Sequence, residues 1–373
     1  MGGEGTRTRW AWAEVDLDAI AHNVGVLRKA VDPAAVWAVV KADAYGHGLL
    51  PVARAAIRAG CEGICVALAS AGVALRDAGV DAPILVLSEQ PPEDAAAIVS
   101  HQLTPTVSTV EGIEALAAQR VRGVDVHLKI DTGMHRVGAA PADARRLAER
   151  IDANGPWLRL AGIFTHLAVA DEPDDPYTAR QLERFEEVLS SLPAVPVTHA
   201  ANSAGALAHD HARRSFVRAG ITVYGISPGP GVDHLCAELR PAMALKARVS
   251  FVKRVGAGER ISYGLRHTFA TETTVATLPI GYADGVRRGL SGAGAVLIGG
   301  RRRPITGVVT MDQLMVDCGD DPVRRGDEAV LIGAQGEERI TAEEWASLLG
   351  TIGYEVVFGI GGRVPRRYHG EHA

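Results

Sequence analysis

One lysine directly follows an apolar run. Lys41 comes after residues 36–40, and residues 45–48 form a Tyr-Gly-His-Gly turn. Burying a free ammonium is costly, so a lysine in this place should either lower its pKa or hold its amine in a covalent bond. Both are typical of a lysine that forms a Schiff base, and a turn of this kind can lie under a phosphate. The alternative interpretation is a strand-end lysine whose ammonium reaches solvent.

The composition excludes several classes of protein. With 373 residues, 47% of them hydrophobic, the chain can form one large domain and a smaller one. A net charge of −5 argues against nucleic acid and membrane surfaces as partners. The longest apolar run, residues 64–75, is too short to span a bilayer, and residues 1–9 lack the apolar core of a secretory signal. We therefore expect a cytoplasmic protein whose four cysteines are buried thiols.

The first two thirds of the chain alternate between apolar runs and amphipathic segments. A series of this kind predicts strands and helices in turn, and hence a parallel (β/α)8 barrel. Residues 16–31 predict a helix before the first strand, so we expect an offset version of that barrel. The eight predicted strands are residues 36–40, 63–67, 83–87, 103–107, 124–130, 160–166, 195–199 and 215–218.

The last third has a different residue pattern, with Thr- and Val-rich runs separated by glycines. This predicts a mostly antiparallel β domain at 236–373, after a barrel at 14–235. Thr341, with Glu344 three residues later, predicts a capping box at the start of a helix. The arginines at 301–303 predict a solvated turn. The predicted antiparallel strands are residues 243–255, 272–279, 294–298, 305–310 and 328–332.

Polar residues follow the predicted barrel strands, and a barrel brings those strand ends into one mouth. The loops after the last two strands commonly hold phosphate, and here they offer a Ser203 hydroxyl and the N–H groups of Gly220 and Ile221. A lysine, a phosphate cup and aromatic hydroxyls suit pyridoxal 5'-phosphate, which acts as an electron sink. The strand-end residues, in chain order, are Lys41, Lys129, Arg136, His166, Asn202, Ser203, Arg218, Gly220 and Ile221.

Motifs along nearly the whole chain resemble those of the alanine racemase family. The resemblance implies a barrel followed by a β domain, a pyridoxal-phosphate enzyme that interconverts L- and D-alanine, and a head-to-tail homodimer with shared active sites. It also implies that residues 1–13 pair with the β domain, and that the product feeds peptidoglycan synthesis. The motifs, in order, are VVKADAYGHG, HLKIDTGMHRVG, THAANSAG, VRAGITVYG, ISYG, LPIGYADG, TMDQLMVD and YEVVFGIGGRVPR.

Carried over by position, the resemblance makes Lys41 the Schiff-base lysine and Tyr263 the second catalytic group. Racemisation removes the Cα proton on one face and returns a proton on the other, so two bases are required. Lys41 would act on the D substrate, and Tyr263 of the partner chain on the L substrate.

Arg218 would face the cofactor's pyridine nitrogen, with His166 paired to it. A guanidinium only donates hydrogen bonds, so that nitrogen stays unprotonated and the ring is a weaker electron sink. Arg136 would bind the substrate carboxylate. Lys129 beside it would be a like-charge clash, which a carbamate on Lys129 would relieve.

The remaining family positions concern the cofactor phosphate and the entrance, and no metal is expected. His199 predicts a core histidine, and the metal-like spacing of His209 and His211 is better explained by surface placement. Cofactor binders by resemblance are Tyr45, His166, Asn202, Ser203, Arg218, Gly220, Ile221 and Tyr354; substrate-side residues are Arg136, Tyr282, Met311 and Asp312.

Three alternatives stay open at this stage. A racemase of another small amino acid, such as serine, would use the same motifs, because pocket volume cannot be read from them. A decarboxylase on the same barrel would place an acidic residue where Arg218 stands. A non-catalytic cofactor-binding protein would not need Tyr263.

Overall fold

The computed structural model describes residues 9–371, which form two compact units. The first, here called the barrel unit, comprises residues 18–240. The second, here called the β unit, comprises residues 241–371 together with the segment that ends at residue 17. The expected pairing of residues 1–13 falls partly on residues 1–8, which lie outside the described residues.

The barrel unit is built on eight parallel strands. After β1 (Ala11–Asp16) of the β unit, the chain forms β2 (Ala35–Val39), β3 (Gly63–Val66), β4 (Ile84–Val86), β5 (Thr106–Val107), β6 (Val124–Lys129), β7 (Leu158–Phe164), β8 (Val197–His199) and β9 (Phe216–Ala219). They pair in the orders β4-β3-β2-β9 and β5-β6-β7-β8.

Hydrogen bonds join these two sheets into one ring. Thr104 N–H donates to Ile84 O at 2.8 Å beside β4, and Ser215 N–H donates to Thr198 O at 3.0 Å beside β8. The predicted eight-stranded parallel barrel is therefore confirmed. The carboxyl ends of the strands meet at one mouth, as such a barrel requires.

Helices connect the strands of the barrel. They are α1 (Leu17–Val31), α2 (Lys41–Tyr45), α3 (Leu49–Arg58), α4 (Ala69–Asp77), α5 (Ala95–Ser100), α6 (Val110–Ala117), α7 (Ala144–Ala153), α8 (Tyr177–Ser190) and α9 (Ser203–Ala208); the β unit adds α10 (Ala342–Leu349) and α11 (Gly353–Phe358). Helix α1 precedes the first barrel strand as predicted, and Ile20, Val24 and Leu27 form its buried stripe. Within residues 9–371, no helix has the length and apolar character to cross a membrane.

The β unit contains one large sheet. Its further strands are β10 (Met243–Arg248), β11 (Phe251–Val255), β12 (Arg260–Ile261), β13 (His267–Thr268), β14 (Thr273–Leu278), β15 (Ala295–Ile298), β16 (Arg301–Thr306), β17 (Leu314–Asp317), β18 (Glu328–Gln335), β19 (Glu338–Ile340) and β20 (Arg366–His369). The order is β11-β14-β17-β16-β15-β18-β10-β1-β20. Strand β1 pairs antiparallel with β10 and parallel with β20.

Several predicted elements of this unit were wrong. The single strand expected at 243–255 is two strands, because β10 pairs with β1 and β18 whereas β11 pairs with β14. The strand expected at 305–310 is β16, which begins at Arg301, so the predicted arginine turn is a strand instead. The hairpin turn lies before it, at Gly299 and Gly300, whose φ angles of 62° and 72° suit glycine. Strand β17 was missed.

Two smaller predictions were half right. Thr341 caps α10, since its hydroxyl accepts the Glu344 N–H at 3.1 Å, but the Glu344 carboxylate binds Arg302 on β16. Three of the four cysteines are buried thiols, whereas Cys236 is partly exposed.

Candidate active site

Lys41 stands at the carboxyl end of β2, where the backbone reverses its hand. Residues 42–45 have φ angles of 52–54°, so α2 is mostly a left-handed turn built from residues other than glycine. Each such residue costs about 1–2 kcal/mol, so the surroundings must hold the turn in place. Gly48 N–H donates to Asp43 O at 2.9 Å, and Leu49 N–H donates to the Asp43 carboxylate at 2.7 Å. These hydrogen bonds hold the turn in one conformation.

The Lys41 amine is held in a partly desolvated, positively charged environment. Burial lowers its pKa below the usual lysine value, and the nearby Arg136 guanidinium lowers that pKa further. Its Nζ atom lies 5.9 Å from the ring centroid of Tyr45. Both effects favour the neutral amine, which is the form that can react or accept a proton.

The loops after β8 and β9 form a buried cup of donors beside Tyr45. Gly220 N–H and Thr222 Oγ1 both donate to the Ser203 hydroxyl, at 2.8 and 3.1 Å. A Cβ at Gly220 would lie 2.6 Å from the Tyr45 hydroxyl, so only glycine leaves this space open. Ile221 is buried, and its N–H donates to no acceptor within residues 9–371. The cup therefore offers donors to an anion.

Arg218 on β9 is buried and nearly saturated with acceptors. Its Nη2 has two hydrogens, which are shared among Thr165 O and Ala200 O, both at 2.9 Å, and His166 Nδ1 at 3.1 Å; its Nη1 donates to His199 Nδ1 at 2.7 Å. Burial lowers its pKa to about 10, so it stays cationic at neutral pH. The Nε–H has no acceptor in the described part of the chain.

His166 and Lys129 share this cationic environment. Burial, followed by Arg218, lowers the pKa of His166 well below its usual value, so the imidazole is neutral. Burial, followed by Arg218 and then Arg136, lowers the pKa of Lys129 to about 8. Lys129 Nζ lies 3.4 Å from Leu87 O. The exposed Arg136 side chain completes the cluster, which has an excess of positive charge.

Asn202 plays a structural part in this unit. Its side-chain oxygen accepts the Gly205 N–H at 2.9 Å and so caps α9, while its Nδ2 lies 3.4 Å from Leu167 O. It fixes the helix start at which Ser203 stands. A sequence prediction that treats Asn202 only as a cofactor ligand misses this capping role.

Two histidines were missed as neighbours of the site. His199 is a buried core residue, as predicted, but it also accepts from Arg218 and contacts His127 Nδ1 at 2.9 Å. The alternation of side chains along β6 was a usable signal, because it places His127 on the same face as Lys129.

In the β unit, Tyr263 lies on a strained, exposed loop. Its side chain is 75% exposed, and Ser262, Gly264 and Leu265 have φ angles of 68°, 74° and 46°. The Ser262 hydroxyl accepts the Val308 N–H at 3.0 Å, which ties this loop to the segment before Met311. The phenol is therefore exposed on a loop whose backbone is held in place by a hydrogen bond.

Tyr282 and Met311 are held together by backbone hydrogen bonds. Tyr282 N–H donates to Thr310 O at 2.9 Å, and Ala283 N–H donates to Met311 O at 3.1 Å. Gly281 allows this approach, since a Cβ there would lie 2.3 Å from Thr310 O. Both side chains are exposed.

The two other sequence-predicted residues of the β unit are also placed. The Asp312 carboxylate pairs with Arg363 at 2.5 Å, so its charge is used within the unit. Tyr354 lies half-buried on α11.

His209 and His211, whose spacing resembles that of metal ligands, were expected at the surface. His211 is exposed, and His209 Nε2 lies 3.1 Å from Ala170 O. No cluster of three His, Cys, Asp or Glu residues suited to a metal occurs in the described range.

A closed parallel barrel that carries a desolvated lysine beside an anion cup, with a separate antiparallel unit, defines the class of barrel enzymes that use pyridoxal phosphate on amino acids. Family models described as alanine racemase, N-terminal domain, and alanine racemase, C-terminal domain, match residues 15–228 and 242–368. The chain belongs to the alanine racemase family. It is an isomerase that racemises alanine, with pyridoxal 5'-phosphate as its cofactor.

Individual alanine racemases are similar to this chain over nearly its full length. A curated alanine racemase of Symbiobacterium thermophilum is 50% identical, covering 98% of each chain, and one of Thermobifida fusca is 44% identical, covering 97% of this chain and 98% of that protein. The solved alanine racemase of the D-cycloserine producer Streptomyces lavendulae superposes with a TM-score of 0.92 at 38% identity, covering 97% of each chain. The decarboxylase, serine and non-catalytic alternatives are not favoured by these matches.

Proposed function

We propose that Lys41 and Tyr263 are the two bases that racemise alanine, each on one face of the substrate. The observation that carries the proposal is the Lys41 amine, which stands at the barrel mouth with a lowered pKa beside the anion cup. When bound, pyridoxal phosphate withdraws electrons from Cα and so makes its proton removable. The chain itself must supply the groups that hold and move that proton.

Lys41 is suited to accept a proton on one face. Its lowered pKa gives a larger neutral fraction at neutral pH than an ordinary lysine has. The fixed left-handed turn that follows keeps the amine at the end of β2, so the amine needs little reordering before it reacts. We assign Lys41 to the D substrate.

Tyr263 supplies the opposite face, and we assign it to the L substrate. Its phenol is 75% exposed on a loop of defined backbone, which suits a group that reaches into the active site of a second copy. We therefore propose a head-to-tail homodimer in which each site combines Lys41 of one protomer with Tyr263 of its partner.

The barrel residues fit the cofactor. The Ile221 N–H, the Gly220 N–H and the hydroxyls of Ser203 and Tyr45 would hold its phosphate, and we propose Tyr354 as a further phosphate ligand. The Nε–H of Arg218 would donate to its pyridine nitrogen and leave that nitrogen unprotonated. His166 supports Arg218, and Asn202 positions Ser203.

Substrate recognition would use a cation and a backbone donor. The exposed Arg136 can hold a carboxylate, as guanidinium groups do in bidentate fashion. The Met311 N–H donates no hydrogen bond within residues 9–371, so it can bind the same carboxylate. Tyr282 and the Asp312–Arg363 pair would then form the entrance.

The decisive experiment is spectroscopic and chemical. The purified protein should be yellow, borohydride should bleach the visible band, and peptide mapping should find the cofactor fixed to Lys41. Incubation with a panel of L-amino acids should release D-alanine above all others. A folded but colourless protein, or a cofactor attached to another lysine, would overturn the proposal.

The shared site can be tested by complementation. Lys41→Ala and Tyr263→Phe chains should each be inactive alone, whereas unfolding and refolding them together should restore activity. A mixed dimer then contains one intact site and one with both changes. If every site lay within one chain, each site of the mixed dimer would carry one lesion and activity would not return.

We also propose that Lys129 is carbamylated, because a carbamate anion would neutralise the excess positive charge around it. A pKa of about 8 keeps part of the amine neutral at neutral pH, and only the neutral amine attacks carbon dioxide. The intact mass should exceed the sequence mass by one carbon dioxide, and the excess should vanish in acid. A Lys253→Gln control should keep it and Lys129→Gln should lose it; an unmodified wild-type chain at pH 8 in bicarbonate would contradict the proposal.

The proposed setting is the cytoplasm, where the D-alanine product would supply peptidoglycan synthesis. Depletion of the protein in its host should be relieved by added D-alanine, and growth that is unaffected by depletion would contradict a sole biosynthetic role.

A further inference from the structure

A buried pair of imidazoles stands behind Arg218 and takes no part in the steps above. His199 Nδ1 lies 2.7 Å from Arg218 Nη1, and His199 Nε2 lies 2.9 Å from His127 Nδ1. The His199 ring stacks on Phe164 and on Phe216, with centroid distances of 4.5 and 4.2 Å. Strands β6, β8 and β9 thus bring His127, His199 and Arg218 into one hydrogen-bonded row.

The chemistry of arginine fixes where the protons in this row must be. A guanidinium carries donors only, so Nδ1 of His199 accepts from Arg218 and the His199 proton sits on Nε2. That Nε2–H points at His127 Nδ1, which must accept in turn. Burial and then Arg218 keep the pKa of His199 well below its usual value, so the ring is neutral and this order of donors is the only one that satisfies every contact.

The reverse tautomer would release one end of the guanidinium. With its proton on Nδ1, His199 would turn an N–H toward the Arg218 N–H, and two donors would face each other at 2.7 Å. Within residues 9–371, His199 is the one acceptor for Arg218 Nη1. The other acceptors, Thr165 O, Ala200 O and His166 Nδ1, all accept from Nη2.

The neighbouring strand is built to admit His127. Gly162 on β7 pairs with His127, and a Cβ at Gly162 would lie 2.7 Å from the His127 ring. Any larger residue there would move the imidazole, so the position of His127 Nδ1 depends on this glycine.

We propose that His127 is a positioning residue for the racemase. Its Nδ1 holds His199 in the Nε2–H tautomer, and His199 thereby orients the Arg218 guanidinium. The inference rests on the proposed role of Arg218 toward the cofactor's pyridine nitrogen. His127 itself touches neither substrate nor cofactor in this scheme.

The first test needs no variant. Nitrogen-15 NMR of the holoenzyme, with only its histidines labelled, should show His199 and His127 neutral and protonated on Nε2. A His199 that carries its proton on Nδ1, or on both nitrogens, would overturn the proposal. The same measurement on cofactor-free protein reports on the row even if the proposed function fails, so the two failures can be told apart.

The second test compares two substitutions of His127. His127→Asn offers an amide oxygen near the place of Nδ1, whereas His127→Leu removes the acceptor. We expect His127→Leu to lower kcat about tenfold, the scale of lost outer-shell support, and to shift the absorption band of the bound cofactor. His127→Asn should restore most of both. Equal values for the two variants would assign His127 to packing alone and overturn its positioning role.

Discussion

The Lys41 segment and the Tyr263 segment both contain non-glycine residues with positive φ angles, but the first is partly buried and the second is exposed. Residues 42–45 all have positive φ, as do Ser262 and Leu265 on either side of Tyr263. The first segment lies within the strand ends of the barrel, where burial lowers the pKa of the lysine. The second leaves its phenol 75% exposed. The barrel unit thus desolvates its own base, whereas the β unit prepares a group that something else must cover.

The largest expected effect comes from the buried side of this comparison. Lys41→Ala should lower kcat/KM by at least about 10⁴, because it removes both the cofactor-linking amine and one base. Racemisation followed by polarimetry or a D-alanine assay measures the loss. Replacement of an exposed lysine, Lys253→Ala, should retain full activity. Substantial turnover by the Lys41→Ala variant would show that the partly buried lysine is not the essential base.

Tyr263→Phe should have the next largest effect. It should lower kcat/KM by about 10²–10⁴, which is the usual contribution of one acid–base group. Cofactor binding should be unchanged. The sharper measurement is exchange of the Cα hydrogen in deuterium oxide: D-alanine should still exchange through Lys41, while L-alanine should not. Tyr368→Phe serves as the control, and equal exchange of both enantiomers would remove Tyr263 from its assigned face.

The anion cup provides a smaller effect within the barrel unit. Gly220→Ala should weaken cofactor binding about tenfold, since the new methyl would meet the Tyr45 hydroxyl at 2.6 Å. Titration of cofactor-free protein measures this. Gly25→Ala on the exposed face of α1 has open space around it, so it should leave binding alone and stabilise the fold by roughly 0.5–1 kcal/mol. Unchanged affinity in Gly220→Ala would place the phosphate elsewhere.

The smallest effect concerns the support of the exposed loop. Ser262→Ala removes the hydroxyl that accepts the Val308 N–H, a bond worth about 1 kcal/mol, so kcat should fall roughly fivefold. Cofactor affinity should not change, because the barrel unit is untouched. The exposed Ser347→Ala on α10 is the matched control. A loss equal to that of Tyr263→Phe would mean that loop order, and not the phenol, limits the reaction.

The barrel was predictable because parallel strands buried on both faces leave continuous apolar runs in the sequence. Those runs located β2 to β9 and hence Lys41, Ser203 and Arg218 at strand ends. The sheet of the β unit was less predictable. The alternation of residues 243–255 continues through Val249 and Ser250, so it hides the break between β10 and β11, and no local pattern reports that they join different partners.

Side-chain roles that depend on distant partners were also beyond the sequence. The arginines at 301–303 favour a solvated turn by composition, yet Arg302 lies on a strand because Glu338 and Glu344 neutralise it. Likewise the spacing of His127 and His199, on different strands, gives no hint of their 2.9 Å contact.

The sequence by itself determined the family, the succession of strands and helices, and the residue types at the strand ends, because hydrophobic periodicity and motif order are local properties of the chain. The tertiary structure alone decided the hand of the turn after Lys41, the contact between Arg218 and His199, and the lowered pKa of Lys129. Those properties depend on burial and on charges that the chain brings together from distant positions. No single segment of the sequence reveals the electrostatic effect of such charges or the cost of burying a charged group.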